Sequence, residues 1–149
     1  MKKSFRGKLA NDTQERIRLH TNNGLTGYQI IKFEVMGVNE NLAYENTVKL
    51  FKNEQESPLL ENVDFRDPNL LAAALYGDSS DSKTFATKTI IFDNQVFNQD
   101  IYITYIGQAG FQNDINYYIE LEQVKLSKEE AATATLMDMR AGPDTRFGP

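Results

Sequence analysis

Acid–base or nucleophilic chemistry in this chain would have to come from one histidine and scattered carboxylates. His20 is the sole histidine, so a histidine-centred triad would need it. No Gly-x-Ser-x-Gly elbow accompanies it. It alternates with Arg16 and Arg18 on the polar side of a strand-like run, the position of an exposed bystander. Asp93, Asp100 and Asp114 stand near the ends of the two most aromatic strand-like runs. Paired acids hydrolyse glycosides when held at a set separation, but turn formation and solubility explain these three more simply. Asp78, Ser80 and Asp81 place hard oxygen ligands in one loop, as Ca²⁺ prefers, yet the EF-hand spacing and its closing Glu are missing. No Gly-rich phosphate loop or dinucleotide fingerprint occurs. With no Cys, disulfides, thiolate catalysis, Cys-based metal sites and thioether haem attachment are excluded. The chain is expected to be non-enzymatic and to use no cofactor and no metal.

Binding is the better-supported chemistry. Tyr102, Tyr105, Tyr117 and Tyr118 crowd two strand-like runs, Asp100–Ile106 and Asn116–Lys125. Tyr is enriched at interfaces because it buries a large area while keeping a polar tip. Tyr117 and Tyr118 must point to opposite faces of one strand, so at most one belongs to the core of a single sheet. The net charge of −5 is unevenly spread. Residues 1–20 hold six Lys or Arg and two acids, a balance of +4 that leaves −9 on the rest. Lys2, Lys3, Arg6 and Lys8 therefore suit a polar contact with an acidic neighbour. Four charges without aromatic interleaving argue poorly for nucleic acid.

The elements that must position these residues are mostly strands. Nine Phe and seven Tyr without any Trp favour sheet structure. Ser4–Leu9 reads as a short strand or an extended arm, and Glu15–His20 as a half-buried strand. Tyr28–Met36 is a further strand with Ile31, Phe33 and Val35 on one face, and Asn46–Lys52 another, after a polar loop from Gly37 to Glu45. Asn53 to Pro68 is irregular, with Leu59, Leu60, Val63 and Phe65 packing down in places. Leu70–Tyr76 is ambiguous between helix and buried strand, and the β context tips it to strand. Thr84–Phe92 is Thr- and Ile-rich. In Asn116–Lys125, Tyr117, Ile119 and Leu121 face one way and Tyr118, Glu120 and Glu122 the other. Ser127-Lys128-Glu129-Glu130 is a capping box with Leu126 and Ala131 at the staple positions. The helix it opens carries Ala132, Leu136 and Met139 as a narrow apolar stripe. No apolar run approaches the 18 residues of a membrane-crossing helix.

The expected fold is all-β with one C-terminal helix, an antiparallel β-sandwich of jelly-roll type. The expected division is a basic N-terminal arm over 1–10, the sandwich over 11–126, the helix over 127–140 and a flexible tail over 141–149 that contains Phe147.

Several runs resemble a known group. They are Ile90-Ile91-Phe92-Asp93-Asn94, Phe97-Asn98-Gln99-Asp100-Ile101-Tyr102 and Asn116-Tyr117-Tyr118-Ile119-Glu120-Leu121-Glu122. Glu15-Arg16-Ile17-Arg18-Leu19, Thr26-Gly27-Tyr28 and Ala134-Thr135-Leu136-Met137-Asp138-Met139-Arg140 join them. Together they are similar to small virion structural proteins of marine bacterial viruses, over most of residues 5–140. The resemblance implies a capsid decoration, cement or minor capsid protein, made in the host cytoplasm and carried on the virion. It supplies no catalytic residues. Its implied partners are copies of the chain and a major capsid or other virion protein. A tail or head–tail junction component is a variant of this reading, and a carbohydrate- or receptor-binding module using Tyr76, Tyr102 and Tyr105 is its competitor. The interface is expected on Lys2, Lys3, Arg6 and Lys8, on Tyr102, Tyr105 and Tyr118, and on Leu136, Met139 and Phe147.

Overall fold

The computed structural model describes residues 1–39, 42, 44–78, 85–92 and 95–139. Eight strands precede one helix: β1 (Lys2–Leu9), β2 (Thr13–Ile17), β3 (Thr26–Gly37), β4 (Glu45–Phe51), β5 (Leu70–Asp78), β6 (Phe85–Ile91), β7 (Ile101–Gly107), β8 (Ile115–Lys125) and α1 (Lys128–Met139). They form two antiparallel sheets, β1-β8-β3 and β2-β7-β4-β5-β6. The pairs β1–β8, β2–β7 and β4–β5 are nested like the two arms of one long hairpin. Rolling such a hairpin onto itself gives a jelly roll. The fourth nested pair, β3–β6, has no ladder among the described residues. Instead β6 pairs with β5, while β3 comes within 8 Å, Cα to Cα, of both.

The core lies between the sheets. Ile101, Ile103 and Tyr105 of β7, Val48 and Leu50 of β4, and Ile115, Ile119 and Leu121 of β8 are fully buried. The period-two alternation of β8 holds as expected, with Tyr117, Ile119 and Leu121 inward and Tyr118, Glu120 and Glu122 half-buried on the other side. Leu70–Tyr76 is strand, and Ala72 and Ala74 are small enough for β5 to sit close under the opposite sheet.

Three local expectations are corrected. A register shift between Ile30 and Lys32 inserts an extra residue into β3. A bulge of this kind reverses which side chains face the core. Tyr28 and Ile30 therefore join Phe33 and Val35 inside, and Ile31 is 43% exposed. The loop from Gly37 to Glu45, read as polar, ends in Tyr44, a fully buried ring whose hydroxyl donates to the Asp114 carbonyl at 2.7 Å and accepts from Val38 N–H at 2.9 Å. Residues 2–9 form β1, paired along their whole length with β8, so the first segment is a strand of the sandwich rather than an arm.

The segment from Asn53 to Asn69 folds over the outer face of the five-stranded sheet. The Gln14 side chain bonds both the N–H and the C=O of Gln55, at 2.8 and 3.1 Å, and Lys49 Nζ donates to the Asn62 carbonyl at 2.9 Å. This cover accounts for the burial of Lys49, Thr47 and Thr104 on a face that would otherwise be wet.

The helix start matches its sequence signal. Glu130 N–H donates to Ser127 Oγ at 3.2 Å, Ser127 N–H donates to Glu130 Oε1 at 3.1 Å, and Leu126 and Ala131 are both buried. The docking face does not match. Ala131, Thr135 and Asp138, spaced i, i+4, i+7, face the body, while Ala132 and Leu136 are exposed. Polar bonding replaces the expected apolar stripe. Asn98 Nδ2 donates to Thr135 Oγ1 (2.7 Å), to the Ala131 carbonyl (3.2 Å) and to the Gly24 carbonyl (3.0 Å), and Asn98 N–H donates to Asp138 Oδ2 at 2.9 Å. Burial pushes the Asp138 carboxyl up, against the bonds from Asn98 and Gln99 N–H and the pull of Lys52. No helix among the described residues is long and apolar enough to cross a membrane.

Candidate functional site

The outer face of the three-stranded sheet carries most of the basic residues singled out by sequence. Strand alternation puts Lys2, Ser4, Arg6 and Lys8 on one side of β1 and Lys3, Phe5 and Leu9 on the other. Lys3 lies over the Phe5 ring, 5.8 Å from its centre. Across the sheet, Lys2 stands opposite Glu122, Ser4 opposite Glu120, and Lys8 opposite Asn116, with its Nζ 3.9 Å from Asp114. Much of the acidic neighbour expected for the basic segment is thus the chain's own β8 region. Arg6 differs. It stands opposite Tyr118, which stands opposite Glu34 of β3, and its guanidinium takes no partner among the described residues.

A hollow of about 890 Å³ opens over this face. Its floor includes Arg6, Lys8, Met36, Asn116 and Tyr118, and Thr87 and Thr89 of β6 form a wall. It sits beside the seam where the β3–β6 ladder is missing, so the interrupted roll is what leaves the space. A smaller hollow of about 100 Å³ lies further along the seam at Gln29–Ile31 and Phe92. Within the lining, Gly7 makes room for the Tyr117 ring, because a Cβ there would come within 2.7 Å of it.

The tyrosines divide. Tyr105, expected at an interface, is fully buried: its hydroxyl accepts from Asn46 Nδ2 and donates to the Asn113 carbonyl. The residue shares the inward parity of Ile101 and Ile103, and a polar cage meets its hydroxyl, which removes it from any surface. Burial pushes its pKa up to about 12. Tyr117 is also buried, and burial together with Glu15, which accepts from its hydroxyl at 3.3 Å, pushes it up to about 12. Tyr76 packs edge-on against Tyr44 inside the core, with ring centres 5.1 Å apart. Tyr102 is half-buried on the outer face of the five-stranded sheet, opposite Phe51 and Arg16. Tyr118 lines the hollow, and the buried Tyr117 borders it. Leu136 is 61% exposed on α1. Met139 ends the helix, and Phe147 lies outside the described residues, as do Asp93, Ser80 and Asp81.

A second surface was missed by sequence reasoning. On the outer side of the β5–β6 edge, Leu75 and Ile90 are 45% and 38% exposed. Phe92, two residues beyond Ile90 on the same side, meets Phe65 edge-on at 5.0 Å, and Phe65 is 60% exposed. The signal was present in Ile90-Ile91-Phe92: three consecutive apolar residues in a strand require both faces to be covered.

His20 and Asp100, set aside by sequence, are joined. Asp100 Oδ1 accepts from Leu19 N–H (2.7 Å), from His20 N–H (2.9 Å) and lies 2.8 Å from His20 Nδ1, while Oδ2 accepts from Arg16 Nε at 2.6 Å. Burial alone would raise the Asp100 pKa, but the backbone and ring bonds from His20, with those from Leu19 and Arg16, hold it well below the usual carboxylate range. His20 is therefore not a bystander; its ring helps fix the chain entering β7. Among the described residues no hydroxyl is bonded to the His20 ring. No three His, Cys, Asp or Glu among the described residues are grouped to hold a metal.

In comparisons with known proteins, no family model matches this chain and no curated protein matches it.

Proposed function

We propose that this chain is a non-enzymatic structural protein of a virus particle, a capsid decoration, cement or minor capsid component that works through protein–protein contacts. The virion part of this reading rests on the sequence resemblance. The assembly part rests on one observation, the apolar strip Leu75–Ile90–Phe92–Phe65 on an edge of the five-stranded sheet. Exposed apolar groups on an edge strand are costly to leave in water and prone to pair with another chain. A repeated particle gives such a strip a permanent cover, and symmetry multiplies weak contacts into avidity. Leu136 on α1 offers a further apolar contact.

The test is the mass of the purified chain by light scattering across a concentration series, for the wild type and for Ile90→Lys. A self-associating wild type and a monomeric variant are expected. A wild type that stays monomeric, or an Ile90→Lys protein that associates equally well, removes the strip as the assembly surface. Peptide mass spectrometry of purified particles tests the virion assignment: the chain should be present in stoichiometric ratio to the major capsid protein, and its absence overturns that assignment.

A further inference from the structure

We infer that the hollow over the three-stranded sheet is a binding site for an acidic saccharide, a pyranose chain bearing carboxylates such as a uronate oligomer. This goes beyond the assembly reading and does not depend on it, since the site and the apolar strip lie on different faces.

Four observations carry it. The volume, about 890 Å³, falls within the range of ligand clefts. Lys8 and Glu34 of the lining are paired with Asp114 and Lys32, but three polar groups are unspent: the Arg6 guanidinium, the Asn116 amide and the Tyr118 hydroxyl take no side-chain partner among the described residues. Three polar groups converging without intramolecular bonds are what an orienting site needs. Asn116 and Tyr118 lie on β8, the central strand, whose backbone N–H and C=O groups are used on both sides in the β1–β8 and β8–β3 ladders, so that part of the floor offers a ligand only side chains. Recognition must come from side chains, which suits a ligand rich in hydroxyls. Finally, the aromatic and the charge are adjacent. The Tyr118 ring offers a platform for the apolar face of a sugar ring, and Arg6, directly across the ladder, offers a planar fork for a carboxylate. Glu34, on the other side of Tyr118, can accept from sugar hydroxyls.

Charge selects the class of anion. Two cations, one already beside Asp114, with Glu34 close by on a chain of net charge −5, make a poor track for a nucleic acid backbone. They are sufficient for isolated carboxylates spaced along a neutral chain.

The experiment is isothermal titration calorimetry of the full chain with short oligogalacturonates. The matching neutral oligogalactosides and poly-glutamate serve as comparison ligands. Binding of the uronates is expected, at least about tenfold tighter than the neutral sugars, with poly-glutamate weaker than the uronates. Arg6→Gln should weaken uronate binding about tenfold, the scale of one charge-assisted fork. Tyr118→Ala should weaken uronates and neutral sugars together, while Tyr118→Phe should retain most of the affinity. Lys3→Gln, on the opposite side of β1, should leave binding unchanged. The proposal is overturned if uronates fail to bind, if poly-glutamate binds as tightly, or if Arg6→Gln and Tyr118→Ala, with unchanged thermal midpoints, bind like wild type.

Discussion

Removing the Asp100 carboxylate should destabilise the fold by about 3 kcal/mol at neutral pH, and most of the loss should come from two backbone N–H groups, with the His20 ring bond adding a smaller part. Asp100 is 6% exposed and accepts from Leu19 N–H and His20 N–H, the first of them fully buried. Hydrogen bonds to a charged acceptor contribute roughly 1.5–3 kcal/mol each, and a buried donor left without a partner costs about 1–3 kcal/mol. Arg16 adds little, because its side chain is 47% exposed and such pairs contribute about 0–1 kcal/mol. Asp100→Ala should therefore lose about 3 kcal/mol and Arg16→Gln less than about 1 kcal/mol. Asp100→Asn keeps an acceptor for the backbone pair and loses only the charge, so an intermediate loss of about 1–2 kcal/mol is expected. The pH dependence separates charge from shape. The folded-state pKa is depressed, so the carboxylate's contribution is fully present above its unfolded pKa near 4 and is lost as pH falls toward the folded value. The gap between wild type and Asp100→Asn should narrow by about 1 kcal/mol between pH 6 and pH 3. Urea denaturation at both pH values measures this, with midpoints read at constant slope. An Asp100→Ala loss below about 1 kcal/mol, or a wild type–Asn gap that does not change with pH, would refute the carboxylate as the anchor of this turn.

Two further outcomes follow from the core. Gly7→Ala should cost about 1–3 kcal/mol by overpacking, because the new methyl meets the Tyr117 ring at 2.7 Å, and combining it with Tyr117→Leu should recover part of the loss in a double-mutant cycle. Tyr105 and Tyr117, both raised to about 12, should escape the main phenol transition in an ultraviolet titration, and their raised values make the fold lose stability as pH rises from about 10 through 12; a single transition near 10 from an intact fold would contradict their burial.

Features that depend on neighbours along the chain were legible in the residues alone. Alternation in Asn116–Lys125 settled which side chains of β8 are core, because successive residues of a strand must point to opposite faces. Ser127 and Glu130 announced the helix start, since a capping box closes within one turn. The count of short strands between turn signals indicated a sandwich, and the jelly-roll nesting agrees with it. What the sequence did not determine depends on residues far apart in the chain. Tyr105 looked like interface because Tyr usually is; it is core because Asn46 and the Asn113 carbonyl, brought in by β4 and by the β7–β8 connection, satisfy its hydroxyl. One extra residue in β3 exchanged the faces of Ile30 and Ile31, and a bulge leaves no mark in composition. The helix presents Thr135 and Asp138 to the body because Asn98, almost forty residues away, carries the matching donors. Asp100 could not be distinguished from a turn former until its donors arrived from some eighty residues upstream. The hollow is the extreme case: its residues come from β1, β3, β6 and β8, and it exists because β6 pairs with β5 instead of β3. Periodicity fixes which way a side chain points from its own strand, but only the pairing of strands decides what stands opposite it.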